Sequence, residues 1–460
     1  MIRWVAGWWR RLLRRSRSPA AWLLDRESDA DSVGHLARAV LSMPGDVLAT
    51  PLPWGEETAN GGVIDLRHGA IRSVSFLPPS HSSNALPPPG GCGELRAAVA
   101  ARFAPGAAIS PQDVLITSGG SGALSLALEA CLDPGDRVVL FDPCSPLFVW
   151  GARSRRARIA WVPTWVEEGW CRFPRAVLER AIRRARLLIL ADPVNPTGAV
   201  FHPEDREYIA WLAAAHDVLL YVDQAFAELH PRGEAARWEA IPGIRPHLLL
   251  ADSLSWSHNV RGWRVGWLIG PRVVLRACQA LQHLHAAVVP TPCQWLAAAC
   301  LEESRPQHER PALFQRWQKQ RQQAGDLFQR WGLETGDSGQ GGFLWISTAA
   351  LGLDGRQWAE VLERKYRLRV LPGELCGPSG RNMVRLGLLQ HPGHWQEALN
   401  RLSRCLSAGK EKASWHTAAL GASPQIRTER EAGGAQRPAR REPKRACTSA
   451  DARTMSDMLG

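Results

Sequence analysis

Five short segments of this 460-residue chain carry residue types that could grip an anion and a charged ring. The first is Thr117-Ser118-Gly119-Gly120-Ser121-Gly122. Residues this small let backbone N–H groups and a helix N-terminus approach a phosphate, although a glycine-rich turn alone is more often only a turn. The second is Asp192-Pro193-Val194-Asn195-Pro196-Thr197-Gly198, where prolines hold Asn195 as a rigid, aimed hydrogen-bond donor. The third is Asp223-Gln224-Ala225-Phe226. A carboxylate there could pair with a protonated ring nitrogen, or it could merely cap the next element. The fourth runs from Ser253 to Gly266 as SLSWSHNVRGWRVG, with Ser253 and Arg264 as phosphate-binding types. The fifth is Arg385 in NMVRLGLL, suited to a bidentate grip on a carboxylate.

These segments fall where strands end. From Val114 to about Gly270 the strand-like runs VLIT, DRVVLFD, LLILAD, VLLYVD and HLLLAD alternate with helical runs such as SGALSLALEACL and EDREYIAWLAAAH. That alternation predicts an α/β domain with a mostly parallel sheet covered by helices on both faces, which binds ligands at the carboxyl ends of its strands. GELRAAVAARF and residues 31–41 read as helices, and residues 271–331 are strongly helical. From Gly341 to Leu406 a smaller α/β domain is expected: GGFLWIST, GRQWAEVLERKY, LRVLPG and NMVRLGLL, then a closing helix. The expected divisions are a basic arm (1–24), a segment joining the small domain (25–60), a large ligand-binding domain (61–290), a small C-terminal domain (291–407) and a disordered tail (408–460).

Net charge of +12 does not imply a nucleic-acid groove. Residues 1–24 hold six arginines and no acid, and 408–460 hold ten basic and six acidic residues, which leaves 40 basic and 38 acidic residues for the body. Ten cysteines without paired metal spacing read as reduced core thiols, so a cytoplasmic setting is expected. No apolar run is long enough for a membrane span. The arm, with Trp4, Trp8 and Trp9 among arginines, reads as a loosely ordered extension; an interfacial helix and a transit peptide are the alternatives.

Taken in order, the five segments resemble the class I/II, fold type I, pyridoxal-phosphate-dependent aminotransferases over roughly residues 60 to 406. The NPTG segment and the Ser-x-Ser segment with its downstream Arg-x-Gly are specific together. The resemblance implies backbone amides of Gly120 and Ser121 on the cofactor phosphate, with Ser253 and Arg264 beside them. It implies Asn195 on the ring hydroxyl, Asp223 on the pyridine nitrogen, Phe226 near the ring, and Arg385 on the α-carboxylate of an amino acid. It also implies a homodimer that passes an amino group from an α-amino acid to a 2-oxo acid.

One position departs from the family. Trp256 stands where the family keeps its Schiff-base lysine, while the match continues through Arg264 and Gly266. An indole only donates a hydrogen bond, so it can neither link to the cofactor nor move its proton. The five lysines are Lys319, Lys365, Lys410, Lys412 and Lys444, all outside the cofactor-binding half. Ser145 replaces a ring-stacking aromatic, Phe226 a tyrosine, and Leu86 a tyrosine lent to the partner's phosphate. Four readings stay open. The chain is an ordinary aminotransferase, or a pseudoenzyme binding pyridoxal or pyridoxamine phosphate non-covalently. Otherwise it uses His258 as an unusual base, or is a dimeric interaction protein with an empty pocket.

Overall fold

The leucine- and valine-rich runs assemble into one seven-stranded sheet. The computed structural model describes residues 64–65, 87–103, 109–229, 236–286, 288–302, 305–336, 341–388 and 391–411. The strands are β1 (Val114–Ser118), β2 (Arg137–Asp142), β3 (Arg158–Pro163), β4 (Ala185–Ala191), β5 (Leu219–Asp223), β6 (Leu248–Ser253) and β7 (Val265–Ile269). Their spatial order is β1-β7-β6-β5-β4-β2-β3. β7 runs antiparallel to both of its neighbours, and the other pairs are parallel.

Successive side chains of a strand point to opposite faces, and the core divides accordingly. Val139, Phe141, Leu188, Leu190, Leu220, Val222 and Leu250 pack on one face. Val138, Leu140, Leu187, Ile189, Tyr221, Leu249 and Ala251 pack on the other. Helices α1 (Gly93–Ala101), α4 (Arg175–Ile182) and α5 (Pro203–Ala215) cover the first face. The second is covered by α2 (Gly119–Cys131), α3 (Pro146–Ser154) and α7 (Arg272–Ala286). This is the expected α/β sheet buried on both sides. The short α6 (Leu254–Ser257) follows β6 directly.

After α7, the helical stretch continues as α8 (Thr291–Glu302) and α9 (Arg305–Arg330). A smaller antiparallel sheet follows, with β8 (Phe343–Ser347), β9 (Leu371–Pro372) and β10 (Met383–Gly387) in the order β8-β10-β9. Its core is separate, built from Leu344, Ile346, Trp358, Leu362, Val384, Leu386 and Leu402. Helix α10 (Gly355–Tyr366) begins where the sequence supplies a reciprocal cap. Gln357 N donates to Asp354 Oδ1 at 2.8 Å, and Asp354 N donates to Gln357 Oε1 at 3.0 Å. Ile64–Asp65 lie parallel to Leu368–Arg369. The closing helix α11 (Pro392–Glu411) runs past Ser407, carried by the buried Leu402, Cys405 and Leu406.

The basic arm, the helix read at 31–41, Leu86 and residues 412–460 lie outside the described residues. Among those described, no helix is long and apolar enough to cross a membrane.

Candidate active site

At the carboxyl end of β1 the chain enters α2 without a loop, at Gly119 with φ +70°. The arrangement requires glycine opposite it. Gly266 on β7 faces Thr117 and Ser253 across the ladders. A Cβ at 266 would lie 2.6 Å from Gly119 C and 2.8 Å from Asp252 O. Two residues earlier Arg264 adopts the left-handed region (φ 54°, ψ 45°), which few non-glycine residues occupy. Its guanidinium turns back toward α2: Nη2 donates to Ser121 Oγ at 2.9 Å and to Ser118 O at 3.1 Å, and Nη1 donates to Arg261 O at 3.1 Å. The nearest neighbour of a Cβ at Gly120 would be Ser253 Oγ, 4.0 Å away.

Gly120, Ser121, Ser253 and Arg264 are therefore brought together around the N-terminus of a 13-residue helix. Helix dipole, amides, hydroxyls and guanidinium all favour an anion there. Burial draws the Arg264 pKa below its ordinary value, a desolvation cost that a bound anion would offset. Ser253 is also the N-cap of α6, its Oγ accepting from Ser255 N at 3.4 Å.

Three aspartates stand at the ends of adjacent strands. Asp192 is fully buried and accepts from Trp238 Nε1 at 2.9 Å and Phe201 N at 3.2 Å. Desolvation pushes its pKa up to about 6 against Arg206 and those two donors. Asp223, at the end of β5, is half-buried and accepts from Ala225 N at 2.9 Å. Desolvation takes it to about 6 as well, opposed by that N–H. Asp252 accepts from Ser253 N at 2.6 Å. It is pushed to about 7 by desolvation, with Arg102 and the Ser253 N–H opposing and Asp223 adding to the rise.

Across from these ends lies the smaller sheet. Arg385 on β10 is buried, and its Nη1 donates to Asn195 Oδ1 at 2.8 Å. With that oxygen engaged, Nδ2 is the donor end of the Asn195 amide. The Arg385 guanidinium also lies 4.2 Å from the Phe343 ring centroid. Phe343 meets Phe226 at 5.4 Å and 71°, and Phe226 lies under Trp256 at 4.8 Å and 35°. Trp256 closes the triangle against Phe343 at 6.1 Å and 78°, with the Arg261 guanidinium 4.9 Å from its ring.

Sequence reasoning missed Phe343 and Arg261. The pairing of β8 with β10 could have pointed to Phe343. It sits opposite Gly387, two residues from Arg385, and such diagonal neighbours share a face. Arg261 is near Trp256 because the chain turns between them, at Asn259 (φ 55°). His258 Nδ1 lies 2.9 Å from Ser257 Oγ. Ser145 is buried ahead of α3, at the end of β2.

Comparison with known proteins agrees with this fold. The family pattern for aminotransferase class I and II matches residues 70–402. The arginine–pyruvate transaminase AruH of Pseudomonas aeruginosa is 30% identical over 304 residues, covering 65% of this chain and 76% of that protein. The glutamate-pyruvate aminotransferase AlaC of Escherichia coli is 33% identical over 204 residues, covering 42% of this chain and 48% of AlaC. A Thermus thermophilus aspartate aminotransferase tetra mutant complexed with tryptophan superimposes with a TM-score of 0.70 at 26% identity, covering 80% of this chain and 99% of that one. The chain belongs to the class I and II aminotransferases, a family that works with pyridoxal phosphate.

Proposed function

We propose that this protein binds pyridoxal or pyridoxamine phosphate non-covalently and does not turn over as an ordinary aminotransferase. One observation carries the reading: Trp256, which we assign to the family's lysine position, has its indole packed against Phe226 and Phe343. Lys319, Lys365 and Lys410 lie on α9, α10 and α11, and Lys412 and Lys444 lie beyond the described residues.

The residues present fit the cofactor except at its reacting carbon. The donors around Gly120 suit a phosphate dianion. Arg264, Ser121 and Ser253 supply charge and hydroxyls, and the α2 amides supply N–H groups. Asp223 at a strand end suits a pyridinium nitrogen, whose charge would return the carboxylate toward its ordinary pKa. Asn195 Nδ2 suits a ring hydroxyl. When bound, the cofactor supplies an electron-withdrawing ring and an aldehyde carbon. Trp256 offers that carbon neither a nucleophile nor a base.

A second reading, amino transfer from an α-amino acid to a 2-oxo acid, rests on family membership and on Arg385 held at Asn195. It needs a proton acceptor in place of the lysine. His258 is drawn to Ser257 instead. A homodimer is proposed because the family commonly forms dimers.

Borohydride reduction with peptide mass mapping separates the readings. The parent protein, loaded with pyridoxal phosphate, is expected to retain no cofactor on any pocket residue. Trp256→Lys is expected to gain a reducible linkage at residue 256. Cofactor fixed to a pocket side chain of the parent would overturn the proposal.

A further inference from the structure

Aromatic side chains pack together where the larger sheet meets the smaller one. Asp223 and Phe226 lie at the end of β5, and Arg385 stands across from them on β10, tied to Asn195 at 2.8 Å. Phe226, Trp256 and Phe343 form a closed triangle with centroid separations of 4.8, 5.4 and 6.1 Å. The triangle is capped at both ends by cations. Arg261 lies 4.9 Å from the Trp256 ring and Arg385 lies 4.2 Å from the Phe343 ring. The indole is thus bounded by Phe226 on a face, by Phe343 nearly at a right angle, and by a guanidinium. Moving it would separate an aromatic pair and a cation–π pair together.

A bare cofactor needs only the phosphate cradle, Asp223 and Asn195. A cofactor joined to an amino acid would need more: room for its added half beside residue 256 and toward Arg385, where the indole packs against Phe226 and Phe343. We propose that Trp256 is a specificity-determining residue that admits pyridoxal or pyridoxamine phosphate and excludes their conjugates with α-amino acids; this rests on the reading of the site as a cofactor pocket. The site then selects for the cofactor alone, whereas a transaminating site must accommodate both.

Calorimetric titration of the full chain with pyridoxamine phosphate and with N-(5′-phosphopyridoxyl)-L-alanine tests this. The second probe is a stable conjugate with a secondary amine, so it needs no lysine and no turnover. In the parent, the conjugate is expected to bind at least about ten-fold more weakly than pyridoxamine phosphate. In Trp256→Ala that ratio is expected to fall at least about three-fold, and Trp256→Val serves if the alanine variant does not melt cooperatively. A parent ratio below ten-fold, or a ratio unchanged within three-fold in a folded variant, overturns the proposal while leaving cofactor binding intact. Failure of pyridoxamine phosphate itself to bind the parent removes the cofactor reading, and this proposal with it. The parent comparison alone decides the exclusion if neither variant folds.

Discussion

Asp252 places a pH-dependent load on the fold. Its carboxylate is buried between the Ser253 N–H and the influence of Arg102 and Asp223, and desolvation takes its pKa to about 7. The folded state therefore holds a proton that the unfolded chain releases near pH 4. Between those values the folded form binds more protons, so this residue's contribution to stability falls as pH rises from about 4 to about 7 and then levels off. Asp252→Asn keeps an oxygen for the Ser253 N–H and removes the charge. Thermal melts are expected to show a gain for this variant that is larger at pH 8 than at pH 5; equal gains would assign the load to another group. Asp192 and Asp223 add loads of the same sign, each with a pKa of about 6. At this scale the sequence was informative wherever a candidate residue sits in a contiguous motif. Asn195, Asp223, Ser253, Arg264 and Arg385 were named; the structure places the first four beside the strand ends of the larger sheet and Arg385 within β10, bonded to Asn195. Phe343 and Arg261 were not named, because a ring-packing partner has no signature of its own type and depends on distant strand pairing or on the left-handed turn at Asn259.

At the scale of elements, β7 decides whether the anion cradle can form. It is the antiparallel strand wedged between β1 and β6, and at Gly266 three backbones converge. A Cβ there would meet Gly119 C at 2.6 Å, Gly119 Cα at 2.8 Å and Asp252 O at 2.8 Å, all backbone atoms that cannot swing aside. Gly266→Ala is expected to cost at least about 1–3 kcal/mol in denaturant unfolding and to weaken pyridoxamine phosphate binding as α2 is pushed away. Gly325, inside α9, has nothing within 4 Å of its would-be Cβ. Gly325→Ala is therefore expected to be neutral or stabilising by up to about 1 kcal/mol. If both variants lose stability equally, the steric account of Gly266 is wrong. The contrast also shows what periodicity can reveal. GRQWAEVLERKY coincides with α10 because Asp354 and Gln357 mark its start in the sequence itself. β7 was absorbed into the Arg-x-Gly motif and passed over as a strand. β3 was missed because an edge strand with exposed ends and a half-buried centre lacks the continuous apolar run of its neighbours.

At the scale of the whole molecule, the contacts that join the larger and smaller sheets among the described residues include three sets. Two are in the candidate site: Arg385 with Asn195, and the aromatic triangle. The third is a clamp beside it. Asp142, at the end of β2, accepts from Ser379 Oγ at 2.8 Å and from Ser379 N at 3.0 Å. Cys144 N donates to Cys376 O at 2.8 Å. Between those partners Gly377 has φ +134°, and a Cβ there would lie 2.3 Å from Asp142 Oδ1, so only glycine lets the segment come this close. A clamp joining residues 237 positions apart leaves no local trace in sequence, whereas the two α/β units themselves were legible from the order of their strands and helices. Burial raises the Asp142 pKa, and Ser379 holds it down through its hydroxyl and N–H. Removing the carboxylate therefore relieves some desolvation but orphans both donors. Bonds to a charged acceptor are worth about 1.5–3 kcal/mol, so the loss is expected to prevail. Asp142→Ala is predicted to lower stability by about 1–3 kcal/mol, and Asp142→Asn, which keeps an acceptor, by less. Because the clamp fixes one segment, hydrogen exchange should localise the effect. Amides of residues 373–382 are expected to exchange faster in Asp142→Ala while those of β4 and β5, deep in the larger sheet, keep their protection. Unchanged exchange at 373–382 would show that Asp142 does not hold the smaller sheet's flank in place.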